Sequence, residues 1–195
     1  MRLNRSIRFA ALSLLFAAFG ASSAFADARL KAGMFNPAYM APDFSLPGSG
    51  GSDVTLAHYR GKIVLLTFGF TNCAAVCPTT LATLAQARHG LGKAADGVQV
   101  VYVTVDPARD SAARMREYLA AFDPSFVGAT GSEAALAAVR QKYGVTAVKH
   151  GSGRDYVMAH TSSIFLIDRA GKLRALMPFG HDAADFVHDI KLLAQ

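Results

Sequence analysis

Cys73 and Cys77 are the residues of this sequence best suited to chemistry, and they are its only two cysteines. They lie between a run of strand-forming residues and a run of helix-forming residues. Thiols at such a junction face unpaired backbone N–H groups and the positive end of the helix dipole, which lowers their pKa. The pair suits metal binding or disulfide exchange, because a structural disulfide across three residues would close too short a loop to add much stability.

The first 26 residues are predicted to be a secretory signal peptide. Three arginines, an apolar run from Phe9 to Phe19 and the cleavage signal Ala24-Phe25-Ala26 follow one another in the expected order. The apolar run is short for a bilayer span, so an uncleaved inner-membrane anchor facing the periplasm is the alternative. No cysteine near residue 26 could carry a lipid. The cysteine pair is therefore expected in the oxidising periplasm, where a partner must keep it reduced.

The charge of the chain argues against nucleic acid as a partner. The formal net charge is +6, and loss of residues 1–26 removes three arginines and no acidic residue, which leaves +3. Much of the basic character thus belongs to the targeting segment. No nucleic-acid binding is predicted from the charge that remains.

The hydrophobic pattern predicts one α/β domain. Residues 27–52, rich in proline and glycine, are expected to form a loosely organised N-terminal lead-in to a folded domain at residues 53–195. The elements predicted within the domain are strands at 63–68 and 98–105, helices after Cys77 and from Ser111 or Asp110, helices at 132–143 and 183–193, and a hairpin at 163–177. They form a central mixed sheet with helices on both faces and the cysteines at the carboxyl end of a central strand, where open α/β sheets place their sites.

Three motifs and the order of the elements resemble the Sco/SenC family of copper chaperones, which help to assemble the copper centre of cytochrome c oxidase. The motifs are Cys-x-x-x-Cys-Pro at 73–78, Asp106-Pro-Ala-Arg-Asp110 after the second strand, and His160 just before the hairpin. The resemblance covers residues 41–193 and implies a thioredoxin-like fold in its extended, peroxiredoxin-like form. The chain departs from the family pattern at Ala74 and at Ser111-Ala112, and neither departure removes a ligand.

The resemblance implies that Cys73, Cys77 and His160 bind copper and that the two cysteines also form a redox pair. Ligand chemistry agrees, because soft Cu(I) accepts two thiolates and an imidazole, whereas Cu(II) gains from added nitrogen or oxygen ligands. The implied partners are the copper-site subunit of cytochrome c oxidase, a periplasmic thiol reductant and, as a further candidate, another copper chaperone. Such a metallochaperone needs no catalytic turnover.

Two other functions compete with copper delivery. A thiol-disulfide oxidoreductase could use the same cysteines on an oxidase subunit without carrying copper, and His160 would then be dispensable. Ordinary oxidoreductases of this fold have a cis-proline before the hairpin strand, and this chain has no proline from Ser125 to Met177. A thiol peroxidase is the least favoured class, because Phe70 stands where its threonine would be. The absence of the cis-proline favours metal binding.

Several other residues keep two interpretations. Asp106 and Asp110 are either turn and helix-cap residues or supports of the site and of partner recognition. His150, in a glycine-rich stretch, joins the site only if the fold brings it to the cysteines. Met158, two residues before His160, is the one methionine that could face the site.

Overall fold

The structure, a computed structural model, describes residues 29–153 and 155–195, so the signal peptide predicted at residues 1–26 lies outside the described residues. The strands in chain order are β1 Gly33–Met40, β2 Ser45–Pro47, β3 Asp53–Thr55, β4 Ile63–Gly69, β5 Val98–Thr104, β6 Val127–Ala129, β7 Ala147–His150, β8 Val157–His160, β9 Ser163–Ile167 and β10 Lys172–Pro178. The α-helices are α1 Val76–Leu91, α2 Ala112–Ala120, α3 Glu133–Tyr143 and α4 Ala183–Leu193. Within these ranges, no helix combines the length and the hydropathy that a bilayer span requires.

A six-stranded mixed sheet forms the centre of the fold, in the order β1-β10-β9-β4-β5-β6. Every residue of β4 and β5 is buried, which is the pattern of strands covered on both faces. The two strands pair in parallel, with Ile63 opposite Val98, and α1 connects them. β6 continues the parallel part, whereas β9 and β10 pair antiparallel with their neighbours. The mixed sheet predicted from the hydrophobic runs is confirmed.

Helices cover both faces of this sheet. Neighbouring residues of a strand point to opposite faces, so Thr67 and Phe68 of β4 face different layers. Phe68 packs against Tyr143 of α3, with ring centroids 5.9 Å apart. Tyr102 of β5 pairs in register with Thr67 and packs against Tyr118 of α2, with centroids 6.4 Å apart. The predicted α/β arrangement with helices on both faces is confirmed.

Short-range signals begin and end the helices as the sequence predicts. Ser132 caps α3 by accepting a hydrogen bond from the N–H of Ala135, and Gly144 ends the helix with a left-handed φ of 65°. Ser111, and not Asp110, caps α2. The cap interpretation of Asp110 is therefore wrong, and its carboxylate has another partner.

The described part of residues 27–52 is more regular than the loosely organised lead-in that the sequence predicts. In its described part, β1 pairs antiparallel with β10 as an edge of the central sheet, and β2 pairs with β3. The buried carboxylate of Asp189 in α4 accepts hydrogen bonds from the N–H groups of Lys31 and Ala32, at 2.7 and 2.9 Å. These partners lie far away in the sequence, so local composition did not reveal them.

The two-stranded antiparallel sheet of β7 and β8, separate from the central sheet and from the β2–β3 pair, was not predicted. Ala147 pairs with His160 at one end of this hairpin, and His150 pairs with Val157 at the other. The sequence places His160 in a loop, whereas the structure makes it the last residue of β8. The hairpin therefore sets the position of the predicted histidine ligand.

Candidate metal centre

The cysteine motif lies at the end of central strand β4. The chain leaves β4 at Gly69, and α1 begins at Val76, so Cys73 lies in the connecting loop and Cys77 in the first turn of the helix. Cys73 is half-buried and Cys77 is buried, and both thiols are free. The N–H of Cys77 donates to Cys73 Sγ at 3.4 Å. The predicted position of the pair at a strand-to-helix junction is confirmed.

The two thiols differ in acidity because their surroundings differ. Burial raises the pKa of Cys73, but hydrogen bonds from backbone N–H groups of Cys77, Ala75 and Val76 at the start of α1 outweigh it and hold that pKa below its usual value. Burial raises the pKa of Cys77 to about 12. Cys73 is thus the readier thiolate, and Cys77 keeps its proton in the metal-free protein.

His160 meets the cysteines through Cys77. Its Nε2 atom lies 3.6 Å from Cys77 Sγ, and its Nδ1 atom lies 2.8 Å from the carbonyl oxygen of Thr161. Since a carbonyl only accepts, Nδ1 carries the proton and Nε2 presents a lone pair to the thiol. Burial lowers the pKa of His160, which keeps the ring neutral. A neutral imidazole oriented by its second nitrogen is the form that binds metals.

Phe70 supports the His160 ring from the side. The two rings meet edge to face, with centroids 5.9 Å apart. Phe70 is the residue that replaces the threonine expected of a peroxidase, so the position is used here to pack against the histidine.

The three predicted ligands lie close together, but their side chains do not point at one common metal position. Cys77 contacts both Cys73 and His160. Among the described residues, no three His, Cys, Asp or Glu side chains are already arranged to hold a metal ion. The fold thus brings the three residues together from a loop, a helix and a hairpin, and the side chains must adjust before all three can bind one ion.

Asp110 anchors the loop that carries Cys73. Its side chain is fully buried and accepts hydrogen bonds from the backbone N–H of Thr71 at 3.1 Å, from Thr71 Oγ1 at 2.6 Å and from Thr104 Oγ1 at 2.6 Å. Thr71 lies two residues before Cys73, so the carboxylate fixes the path of the chain into the motif. The interpretation of Asp110 as a support of the site agrees with these contacts.

Asp106 anchors the hairpin that carries His160. Its carboxylate accepts hydrogen bonds from the hydroxyl of Tyr156 and from Nε of Arg109. The Arg109 guanidinium lies 3.7 Å from the centroid of the Tyr156 ring and also donates to the Tyr156 carbonyl. Tyr156 directly precedes β8, so Asp106 acts on His160 through the hairpin. Sequence reasoning missed Tyr156, because no local pattern marks its partner 50 residues earlier.

The remaining candidates lie outside this group. His150 is exposed at the far end of the hairpin, three residues along β7 from the one paired with His160, or roughly 10 Å at the strand rise. Met158 is half-buried and lines a groove with Asp106 and Tyr156. Neither residue is placed with the cysteines by the fold.

Comparisons with known proteins identify the family. The family model described as SCO1/SenC matches residues 33–195. An SCO2-like protein of Rickettsia conorii is 35% identical over 133 residues, which are 67% of this chain and 65% of that relative. The chain spans between about two fifths and about two thirds of the length of the curated relatives it matches.

Solved structures of Sco proteins share the fold. ScoI of Bradyrhizobium japonicum, solved with copper bound, is 35% identical, with a TM-score of 0.73 over 79% of this chain and 99% of its own. BsSco, described as a member of the Sco family of cytochrome c oxidase assembly proteins with a disulfide switch, is 25% identical, with a TM-score of 0.66 over 81% of this chain and 95% of its own. The thioredoxin-like fold implied by the motifs is confirmed, and this chain belongs to the SCO1/SenC family.

Proposed function

We propose that this protein is a periplasmic copper chaperone that helps to assemble the copper centre of cytochrome c oxidase. Copper, as Cu(I) or Cu(II), is its cargo, and we assign Cys73, Cys77 and His160 as the ligands. The contact that carries the proposal joins Cys77 Sγ to the lone pair of His160 Nε2 at 3.6 Å, beside a second thiol. The family match and the copper-bound ScoI structure support the same cargo.

The donor atoms suit both oxidation states of copper. Two thiolates hold soft Cu(I), and the imidazole adds the nitrogen that Cu(II) favours. Cys73 supplies a thiolate readily because its pKa is lowered, whereas Cys77 must first release the proton that its thiol directs at Nε2 of His160. Copper binding therefore releases protons, and the apparent affinity for copper rises with pH.

A second function is favoured by the unequal acidity of the thiols. A half-buried, more acidic Cys73 can attack a substrate disulfide and form a mixed disulfide with one substrate sulfur, while the other leaves as a thiolate. Cys77 then attacks Cys73 Sγ, which frees the reduced substrate and leaves this protein as the disulfide. In this oxidoreductase, acting on oxidase-subunit cysteines without copper, His160 is not required.

The partners and the compartment follow from the first proposal. The recipient is the copper-site subunit of cytochrome c oxidase, a periplasmic reductant keeps the cysteines reduced, and another copper chaperone is a candidate donor. Cleavage after residue 26 would release the protein into the periplasm, and an uncleaved segment would hold it at the inner membrane. A soluble periplasmic form that begins at Asp27 supports release, whereas the full precursor in washed membranes supports anchoring.

Metal loading of the purified, reduced protein tests the assignment of ligands. Cys73→Ala and Cys77→Ala are expected to abolish tight binding of both copper states. His160→Ala is expected to weaken Cu(II) more than Cu(I), because two thiolates hold Cu(I) almost alone. Stoichiometry and visible absorption are measured for Cu(I) and Cu(II) separately, with His150→Ala as the matched histidine control. Equal uptake of both states by His160→Ala would remove His160 from the site.

Oxidation of the thiols separates the two functions. A disulfide between Cys73 and Cys77 consumes both thiolates, so copper loading is expected only after reduction, and loaded protein is expected to resist oxidation. The protein is oxidised mildly, loss of free thiols is checked, and copper is offered before and after reduction. Tight binding by the thiol-free form would exclude these cysteines as ligands and leave disulfide exchange as the better function.

A further inference from the structure

Tyr102, in the middle of buried strand β5, carries a hydroxyl group that makes no hydrogen bond of normal geometry among the described residues. The residue is 1% exposed, and Tyr102 Oη has no hydrogen-bond partner among the described residues. An unsatisfied buried hydroxyl costs stability, and most buried tyrosines find a partner. A phenylalanine would fill the same position in the sheet without that cost, so the hydroxyl needs an explanation.

The hydroxyl points to the carboxyl end of β4, where the cysteine motif begins. A Cβ atom added at Gly69 would lie 2.1 Å from Tyr102 Oη, so the missing side chain at Gly69 makes the room that the hydroxyl occupies. Tyr102, Cys77 and His160 line one small enclosed space. Burial is the main cause of the raised pKa of Tyr102, and proximity to Cys77 adds to it. Of the ionisable groups around the hydroxyl, Cys77 therefore acts on it most strongly.

We propose that the hydroxyl of Tyr102 donates a hydrogen bond to the copper-bound sulfur of Cys77 and so favours Cu(I) over Cu(II). This inference rests on the proposed copper chaperone function. In the metal-free protein, the hydroxyl faces the small space lined by Cys77 and His160 but makes no hydrogen bond of normal geometry there. A copper-bound thiolate is a strong acceptor. The partner that Tyr102 lacks thus forms on loading.

The direction of the effect follows from the charge on the sulfur. A hydrogen bond withdraws electron density from the thiolate and stabilises the more electron-rich sulfur of the Cu(I) state more than that of the Cu(II) state. Hydrogen bonding around a cysteine sulfur tunes copper sites in this way. Tyr102 does not touch the metal, so it is a positioning residue that acts through Cys77.

The test compares Tyr102→Phe with Tyr118→Phe. Tyr118 is the other tyrosine whose buried hydroxyl lacks a partner among the described residues, and it packs against Tyr102, so its variant removes the same atom from a neighbouring place. Each purified, reduced protein is loaded separately with Cu(I) and Cu(II). The readouts are stoichiometry, the two affinities, the energy of the thiolate-to-Cu(II) absorption band and the melting temperature with and without copper.

Tyr102→Phe is expected to bind copper at the wild-type stoichiometry. Its ratio of Cu(I) to Cu(II) affinity should fall about tenfold. Removal of a group that hydrogen-bonds to a metal ligand commonly changes metal affinity by about this factor. Its absorption band should move to lower energy, because the sulfur becomes more electron-rich. The metal-free variant should melt no lower than wild type, since it loses no hydrogen bond, while Tyr118→Phe should keep the wild-type band and ratio.

Each other outcome counts against the inference. A wild-type band and affinity ratio in Tyr102→Phe, or an equal change in Tyr118→Phe, would overturn it while the copper chaperone function stands. A lower melting temperature of the metal-free Tyr102→Phe protein would mean that the hydroxyl already has a partner there, and would also overturn it. Failure of the wild-type protein to bind copper would overturn the proposed function and the inference together.

Discussion

At the scale of single residues, Cys73 and Cys77 hold their protons with different strength although only three residues separate them. Backbone N–H groups at the start of α1 donate hydrogen bonds to the Cys73 sulfur. The Cys77 sulfur is buried and lies next to a neutral imidazole. We therefore expect Cys73 in the loop to react first with a metal ion or a disulfide, and Cys77 in the helix to react second.

Alkylation of the metal-free protein checks this difference. Cys73 is expected to react with iodoacetamide at least about tenfold faster than Cys77 near neutral pH, because the thiolate is the reactive form and Cys77 is buried. The rate at Cys73 should rise with pH and reach half its maximum below the ordinary thiol pKa of about 8.5, because its pKa is lowered, whereas Cys77 stays protonated until its pKa of about 12. Mass spectrometry of Cys73→Ser and Cys77→Ser gives the two rates, and equal rates would contradict the assignment.

At the scale of elements, the hairpin of β7 and β8 carries one proposed ligand, and the β4–α1 junction carries the other two. The hairpin forms its own sheet and does not pair with the six-stranded one. The hydroxyl of Tyr156 ties it to Asp106, and the guanidinium of Arg109 covers the Tyr156 ring. The position of His160 thus depends on a few contacts at the opposite end of β8, where Tyr156 precedes the strand.

Removing one of those contacts should loosen the hairpin while the main sheet stays intact. Tyr156→Phe is expected to speed amide hydrogen exchange in β8 and to weaken Cu(II) by up to about tenfold, because the imidazole is held less firmly. Cu(I) binding should change less, since the thiolates are untouched. Val148→Thr, at an exposed position of the same hairpin, is the control. Unchanged exchange in Tyr156→Phe would mean that the Asp106 contact does not hold the hairpin.

At the scale of the whole molecule, the described N-terminal segment and the last helix hold each other. The Asp189 carboxylate accepts hydrogen bonds from the backbone N–H groups of Lys31 and Ala32, near the start of the described residues. It also contacts Nδ1 of the half-exposed His188. The segment then forms the edge of the central sheet as β1. The Asp189 carboxylate therefore connects α4 to the segment that leads into edge strand β1.

Asp189→Ala is expected to lower the free energy of unfolding by about 2–4 kcal/mol, because two backbone donors lose a charged acceptor in a buried place. Urea denaturation measures the loss. The matched control is His188→Ala, which removes only the exposed partner of the same carboxylate and should cost less than about 1 kcal/mol. Similar losses in both variants would show that the backbone contacts of Asp189 contribute little.

The sequence was sufficient where the deciding interaction is local. The apolar run of β4, the Ser132 cap and the Gly144 stop of α3 each carry their own signal within a few residues. Contacts that join distant segments left no such signal. The pairing of β1 with β10 and the contact of Asp106 with Tyr156 became visible only in the folded chain.

In the candidate site, too, some features could be predicted from the sequence, and others depend on contacts between distant segments. The spacing of Cys73 and Cys77 and the resemblance to a known family predicted, before any geometry was known, the three residues that the fold brings together. The tautomer of His160 and the unsatisfied hydroxyl of Tyr102 depend on atoms that meet across the fold. Side-chain partners of this kind have no sequence period, so no pattern could predict them.

The separate hairpin has a consequence for how long cargo stays on the protein. Since His160 ends a small sheet outside the six-stranded one, the imidazole can withdraw without breaking any strand pairing of the central sheet. For the proposed copper cargo, we expect local opening of the hairpin to govern the residence time, whereas the core governs the lifetime of the fold. Substitutions that loosen the Tyr156 end of the hairpin are therefore expected to change how fast the proposed cargo is handed over while the melting temperature stays nearly constant.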